Sequence, residues 1–249
     1  MALQEEFESQ GNWLFKRRGH LPLIWLVAGL AFYLWKACHG ENHPDSYVIS
    51  KTYYETGCLC ISLIGLAIRI FTIGHVAKNT SGRNTAEQVA DSLNTTGIYS
   101  VVRHPLYLGN YFMWAGIALL MHNLWFVLVY SLAYWIYYER IMFAEEQFLR
   151  KKFGDVYLRW ADKTPAFLPN LCKFCRSGQP FAWKKVLRQE KNGFCALFLL
   201  FALFHASGEL LKTKPDYNWI LFIAAAGSIV IYFILKYLKR CTAVLNDGK

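Results

Sequence analysis

Acidic side chains are scarce in this chain: 17 Asp and Glu stand against 27 Lys and Arg over 249 residues, for a formal net charge of +10. Such an imbalance excludes an acidic surface and leaves two classes of partner, a polyanion or an anionic membrane face. Nucleic acid is disfavoured, because no basic motif interleaved with aromatic residues accompanies the charge. Cysteine is present but lacks pairing. Residues 38, 58, 60, 172, 175, 195 and 241 form an odd, scattered set of seven, which does not build a disulfide scaffold. Cys172 and Cys175 have the spacing of half a zinc site, but no second pair follows to complete four ligands, so no metal is expected. Internal repeats and low-complexity tracts are also missing, and residues 1–249 read as a single membrane domain.

Apolar residues are what the chain has in excess. They make up 55% of it, aromatics 17%, and the mean hydropathy is +0.19, too apolar and too unevenly spread for a soluble domain. Apolar runs fall at Leu21 to Trp35, Cys58 to Ile68 extending to Ala77, Leu106 to Met121, Leu124 to Tyr138, Phe194 to Phe204 extending to Leu211, and Trp219 to Leu235. The pattern predicts an all-α membrane protein of about six apolar helices. The third run is short for roughly 30 Å of hydrocarbon. With the polar turn His122-Asn123 it makes a short, partly re-entrant helical hairpin whose two ends face one side.

Basic residues near spans stay in the cytoplasm. With the N-terminus inside, only Lys36, Lys51, Lys212 and Lys214 fall outside, and Arg69 lies within the second span. Both termini are therefore expected to be cytoplasmic, and the net charge follows from that bias. Lys16-Arg17-Arg18 before an apolar run resembles a signal peptide, but Tyr33, Trp35 and Lys36 stand where small cleavage-site residues are needed, which predicts a retained anchor. Asn79-Thr-Ser and Asn94-Thr-Thr match the glycosylation pattern but fall on the inside, where no modification is expected.

The polar connector Lys78 to Thr96 contains a short amphipathic stretch, Thr85 to Leu93, predicted to lie on the surface and cover a site. Beyond the hairpin, Tyr138 to Trp160 continues as a helix that leaves the membrane and breaks at Gly154. Pro165 and Pro169 mark an extended turn. Cys172 to Asn192, basic with Phe174, Phe181 and Trp183, fits an interfacial segment.

Two polar stretches return to the same side. Arg103-His104-Pro105 opens the hairpin, with Pro105 suited to a first helical turn. Helix-start N–H groups and the Arg103 fork together suit a carboxylate or phosphate, although a basic stop at the membrane edge gives the same residues. Tyr107 and Gly109 lie one turn further in, where Gly109 makes room for a ligand or, with Gly116, a seam against another helix. Adjacent Glu145 and Glu146 repel each other, so one should turn inward toward a cation, Arg103 or part of a bound cofactor, unless the pair is an exposed acidic turn.

In order and spacing, Phe71-Thr72-Ile73-Gly74, Thr96-Gly97-Ile98-Tyr99, Arg103 to Gly109, Glu145-Glu146 with Leu149, Phe153 to Tyr157, and Thr164-Pro165 with Leu168-Pro169 resemble one family. It is the isoprenylcysteine carboxyl methyltransferase and phospholipid methyltransferase family of integral membrane enzymes. The resemblance implies a methyltransferase core over 71–169 and a cytosolic-face pocket for S-adenosylmethionine. His104, Tyr107, Leu108, Gly109, Glu145 and Glu146 stand on its cofactor-binding positions, and Tyr157 and the Pro165 to Pro169 turn close it. Arg103 would orient a carboxylate or phosphate acceptor on a lipid or lipid-modified substrate, whereas Glu145 or Glu146 is the candidate base if the acceptor is a lipid amine, with Glu146 the catalytic candidate. The pair of spans over 194–238 departs from the eukaryotic isoprenylcysteine enzymes. A non-catalytic membrane transporter or assembly protein with a structural ion network is the competing reading.

Overall fold

The computed structural model describes residues 2–19, 21–39, 51–76, 88–212, 215–242 and 244–245. Lys78, Arg83, the Asn79 sequon, Lys214 and residues 85–87 of the amphipathic stretch lie outside the described residues. Among the described residues the regular structure is helical, apart from an isolated antiparallel bridge between Gly97 and Cys175. Eight α-helices follow in order: α1 (Leu3–Lys16), α2 (Leu21–Cys38), α3 (Lys51–Gly74), α4 (Pro105–Leu119), α5 (Leu124–Phe153), α6 (Asp155–Ala161), α7 (Trp183–Leu210) and α8 (Trp219–Cys241).

Each of the six apolar runs overlaps a helix among the described residues, but not all of them are long enough to be spans. Three of the helices, α3, α7 and α8, are long and apolar enough to cross a membrane, and the apolar part of α2 is shorter. These spans make the chain an integral membrane protein. The fourth helix of the hairpin side, α4, has 15 residues, about 22 Å at 1.5 Å per residue, and falls short of a full crossing. Its partner α5 runs for 30 residues, apolar and aromatic at first and charged over its last turns. Asn123 caps α5 by accepting a hydrogen bond from the Phe126 N–H at 2.8 Å, just after His122 takes the left-handed conformation that tightens the turn.

Inside a bilayer the lipid is as apolar as the side chains, so helices associate through close packing and polar contacts rather than through water exclusion. The α3–α4 pair shows how. Gly65 of α3 faces the backbone of Gly109 and Met113, and Gly116 of α4 faces Ser62 and Cys58. A Cβ on Gly109 would lie 2.6 Å from Arg69 Cγ and 2.8 Å from the Gly65 carbonyl oxygen. The Ser62 hydroxyl closes the seam by donating to the Met113 carbonyl at 2.8 Å. Phe201 and Phe204 of α7 sit with Tyr33, Met121 and Leu221 in an apolar cluster that joins α2, α3, α4, α7 and α8.

An ion network ties the far ends of α3 and α7 to the start of α8. His205 bonds the Glu55 carboxylate through Nδ1 at 2.9 Å, and its Nε2 accepts from the Asn218 N–H at 2.9 Å, which places the ring proton on Nδ1. Lys51 pairs with Glu209, whose other oxygen accepts from the Asp216 N–H at 2.7 Å.

The helix that the apolar pattern does not announce is α1. It lies along the polar half of α5, with the Phe7 ring edge-on to Phe143, the Arg140 guanidinium 3.5 Å over Phe7, and the Tyr137 hydroxyl donating to the Leu14 carbonyl at 3.3 Å. Gly11 permits the contact, since a Cβ there would come within 2.7 Å of Ala144 Cβ.

The seam gives a direct test. Gly65→Leu should lower stability by roughly 1–3 kcal/mol through overpacking against backbone that cannot retreat, seen as a lower melting temperature in detergent. Gly57→Ala, where a new Cβ meets nothing within 4 Å, should leave it unchanged or raise it by up to about 1 kcal/mol.

Candidate active site

Pro105 starts α4 because its missing N–H is one that a first turn cannot satisfy. That start fixes His104 at the helix mouth, and the next question is what holds the segment before it. The backbone N–H of Arg103 donates to the Pro165 carbonyl at 2.9 Å, that of His104 to Ala166 at 3.2 Å, and that of Asn170 to Val101 at 2.9 Å. The expected extended turn at Pro165 to Pro169 is therefore the strip against which residues 101–104 are laid. Gly97, left-handed at φ 63°, takes the other end of the segment to the Cys175 carbonyl at 2.8 Å.

His104 lies between the two glutamates of α5. Its Nε2 is 2.9 Å from Glu146 Oε1 and its Nδ1 is 3.6 Å from Glu145 Oε2. Glu145 also accepts from the Tyr107 hydroxyl at 2.6 Å and has Arg18 Nη1 at 3.8 Å. Glu146 has Arg103 Nε at 2.9 Å, within ion-pair range but off the hydrogen-bond direction, while Arg103 Nη1 donates to the Ala161 carbonyl at 2.8 Å. Both carboxylates thus turn inward, and each meets cations and the shared imidazole.

Burial works against a charged imidazole, but the hydrogen bonds and charges of Glu145 and Glu146 outweigh it and hold the His104 pKa above its usual 6.5. Burial likewise raises a carboxyl pKa, yet the His104 contact, the charge of Arg103 and the Tyr157 hydroxyl hold Glu146 below 4.5. Tyr157 and Tyr99 are pushed up, by burial first and then by the negative charge of Glu146 and Glu145 respectively.

A cavity of about 290 Å³ opens beside this joint, at the lower edge of the range for small-molecule sites, roughly 300–1,000 Å³. His104, Tyr107, Glu145 and Arg103 line it, together with Tyr99, Tyr138, Phe148 and Leu149. Glu146, Leu108, Gly109 and Tyr157 do not. Glu146 bonds His104 Nε2, Tyr157 is buried beside Glu146, Leu108 is buried in the core, and Gly109 faces α3 in the seam. Residues 88–90 and 92–94 of the connector form another wall, without helix, so the described part of the expected amphipathic stretch covers the site as irregular chain.

Motif reading missed several contributors. Phe15 and Arg18 of the α1 end line the cavity, as do Arg69 of α3, Asn110 of α4 and Gln189 of α7. Arg69 donates from Nε and Nη2 to the two oxygens of Glu190 at 2.9 and 2.6 Å, and from Nη1 to Asn110 Oδ1 at 2.5 Å. Pairs separated by up to 121 residues leave no spacing signal. The α1 contact had one, a Phe7, Gly11, Leu14, Phe15 stripe at helical spacing.

The sequence profile of the phospholipid methyltransferase family matches residues 54–156, which hold α3, the hairpin and both polar stretches of the joint. The chain resembles the phospholipid methyltransferases. Protein-S-isoprenylcysteine O-methyltransferase of Schizosaccharomyces pombe is 32% identical over 118 residues, 47% of this chain and 50% of that protein. The Xenopus laevis protein of the same name is 33% identical over 117 residues, 44% of this chain and 41% of its own. The cobalt-zinc-cadmium resistance protein CzcN of Cupriavidus metallidurans is 28% identical over 197 residues, covering 75% of this chain and 84% of its own. The chain thus spans half or less of the length of the two methyltransferase relatives. No solved structure matches it. These likenesses bear out the family read from the motifs.

The charge pattern of the joint sets a pH dependence. His104, with its pKa raised above 6.5, contributes stability that is complete below pH 6.5 and lost as pH rises through the folded value. Glu146, held below 4.5, contributes above pH 4.5 and loses its contribution as pH falls through its folded value. Thermal melts in detergent should therefore show stability declining on the alkaline side, and His104→Gln should flatten that limb and, because the His104 contact is the leading cause of the low Glu146 pKa, shrink the acid limb as well.

Proposed function

We propose that this chain is an S-adenosylmethionine-dependent methyltransferase of the membrane whose acceptor is a carboxylate or phosphate on a lipid or lipid-modified molecule. The observation that carries this reading is the convergence of His104, Tyr107 and Glu145 on one cavity inside the family-like region. The donor set suits the cofactor. A carboxylate at Glu145 among the rings of Tyr99, Tyr107 and Tyr138 favours a cationic sulfonium and ammonium, and Phe148, Leu149 and Leu93 offer apolar surface for a base. When bound, the cofactor supplies an electrophilic methyl group.

The protein's own part is positioning and exclusion of water. The methyl group would pass to an acceptor oxygen, with the sulfur keeping the bonding electron pair. An anionic acceptor has no proton to lose. This agrees with Glu146, whose carboxylate is engaged by His104 and Arg103 and held at a low pKa, a poor base. Arg103 and Arg69 both line the cavity, where each also holds a carboxylate, Glu146 and Glu190 respectively. The basic ends of α1, α5 and α8, at Lys16, Arg150 to Lys152, and Lys239 with Arg240, support a cytosolic site by the positive-inside rule. A lipid-borne acceptor then reaches it from the bilayer and the cofactor from the cytosol.

Calorimetry on purified protein in detergent should show S-adenosylmethionine binding, weakened by about 10-fold or more in His104→Ala and Glu145→Ala. Incubation with labelled donor and native lipid extract should yield a labelled methyl ester. Folded protein that gives no binding heat would sink the reading.

A further inference from the structure

The end of α1 reaches the cavity in a way that the matched region, which begins at residue 54, does not include. Phe15 is 5% exposed and packs in the same cluster as Tyr107, Tyr138 and Val102. The Arg18 guanidinium stacks on it, its carbon 4.0 Å from the Phe15 ring centroid, and Nη1 lies 3.8 Å from Glu145 Oε1. Phe15, Arg18 and Glu145 all line the cavity. α1 holds a second wall as well. Asn12 accepts from Gln88 Nε2 at 3.1 Å, and Gln88 also lines the cavity, with its own Oε1 buried and, among the described residues, without a hydrogen-bond partner.

These contacts make α1 more than an anchor. A membrane-surface helix that served only to attach the chain would spend its aromatic face on lipid. Here Phe15 is buried in protein, Gly11 is shaped to the backbone of α5, and the guanidinium is set over a ring whose face favours cations. The result is a planar, partly desolvated Arg18 beside Glu145, one positive and one negative group on the same wall. An amino acid presents that pair of charges in reverse: a carboxylate for a guanidinium fork and an ammonium for a carboxylate.

We propose that Arg18, positioned by α1, is a cofactor-binding residue that takes the α-carboxylate of the methyl donor's amino-acid end. This rests on the methyltransferase reading above and adds to it a residue from outside the family-like region. Gly11 and Phe15 act through Arg18 as positioning residues.

Binding to the intact chain in detergent, measured by calorimetry with S-adenosylmethionine and with decarboxylated S-adenosylmethionine, tests it. The second ligand keeps the sulfonium, amine and adenosine and lacks only the carboxylate. Arg18→Gln should weaken the first by about 10-fold and change the second less than 2-fold, and Arg18→Lys should recover part of the loss. Gly11→Leu, which displaces α1 from α5 and Arg18 with it, should likewise weaken the first ligand more than the second. Equal losses for both ligands in Arg18→Gln, or unchanged binding of the first in folded Arg18→Gln or Gly11→Leu, would overturn the assignment. Should the wild-type chain bind neither ligand, the methyltransferase reading itself fails, a distinct outcome.

Discussion

One imidazole shared by two neighbouring carboxylates is the contact on which the site depends. Glu145 and Glu146 are adjacent on a helix, and two ionised carboxylates so close to a bilayer repel each other unless a cation stands between them. His104 does so, with Arg103 behind it and Arg18 in front. The joint fixes the start of α4 to the extended end of α5, which is what makes a short helix and a long one enclose a cavity. A single polar knot thereby sets the angle of two helices that apolar packing alone would leave free to slide.

The apolar skeleton was legible because helix in a bilayer follows from composition: every run became a helix. Which of them cross was less legible. Tyr130, Tyr134 and Tyr138 of α5 are buried, with their rings in contact and the Tyr134 hydroxyl donating to the Tyr107 carbonyl at 2.7 Å, so that stretch is built for protein rather than lipid contact. The meeting of Arg103-His104 with Glu145-Glu146 was legible through the family's motif order. The clasp of Arg69 on Glu190 was not, since nothing local to either residue points to the other.

The same contrast separates Gly109 from Tyr107, which stand two residues apart. Spacing left the glycine open to two readings, ligand space or helix seam, and the structure sets its Cα face against Gly65 and Arg69. The tyrosine keeps its ring beside Glu145. α1 escaped notice for another reason: its apolar residues are few and its charges many, so it reads as a polar leader until a partner helix is placed beside it. Amphipathic segments of this sort show their purpose only in three dimensions.

The laying of residues 101–104 on the Pro165 to Asn170 strip carries a consequence for how the chain can be divided. The amides of Arg103 and His104 find their acceptors at Pro165 and Ala166, beyond residue 156 where the family-like stretch ends. A piece trimmed to that stretch would orphan two peptide donors beside the imidazole, at a spot where water is scarce. Site geometry and chain continuity are thus inseparable here: the downstream strip is the bench on which the histidine is mounted, and any transplant of this centre into another scaffold has to carry it along.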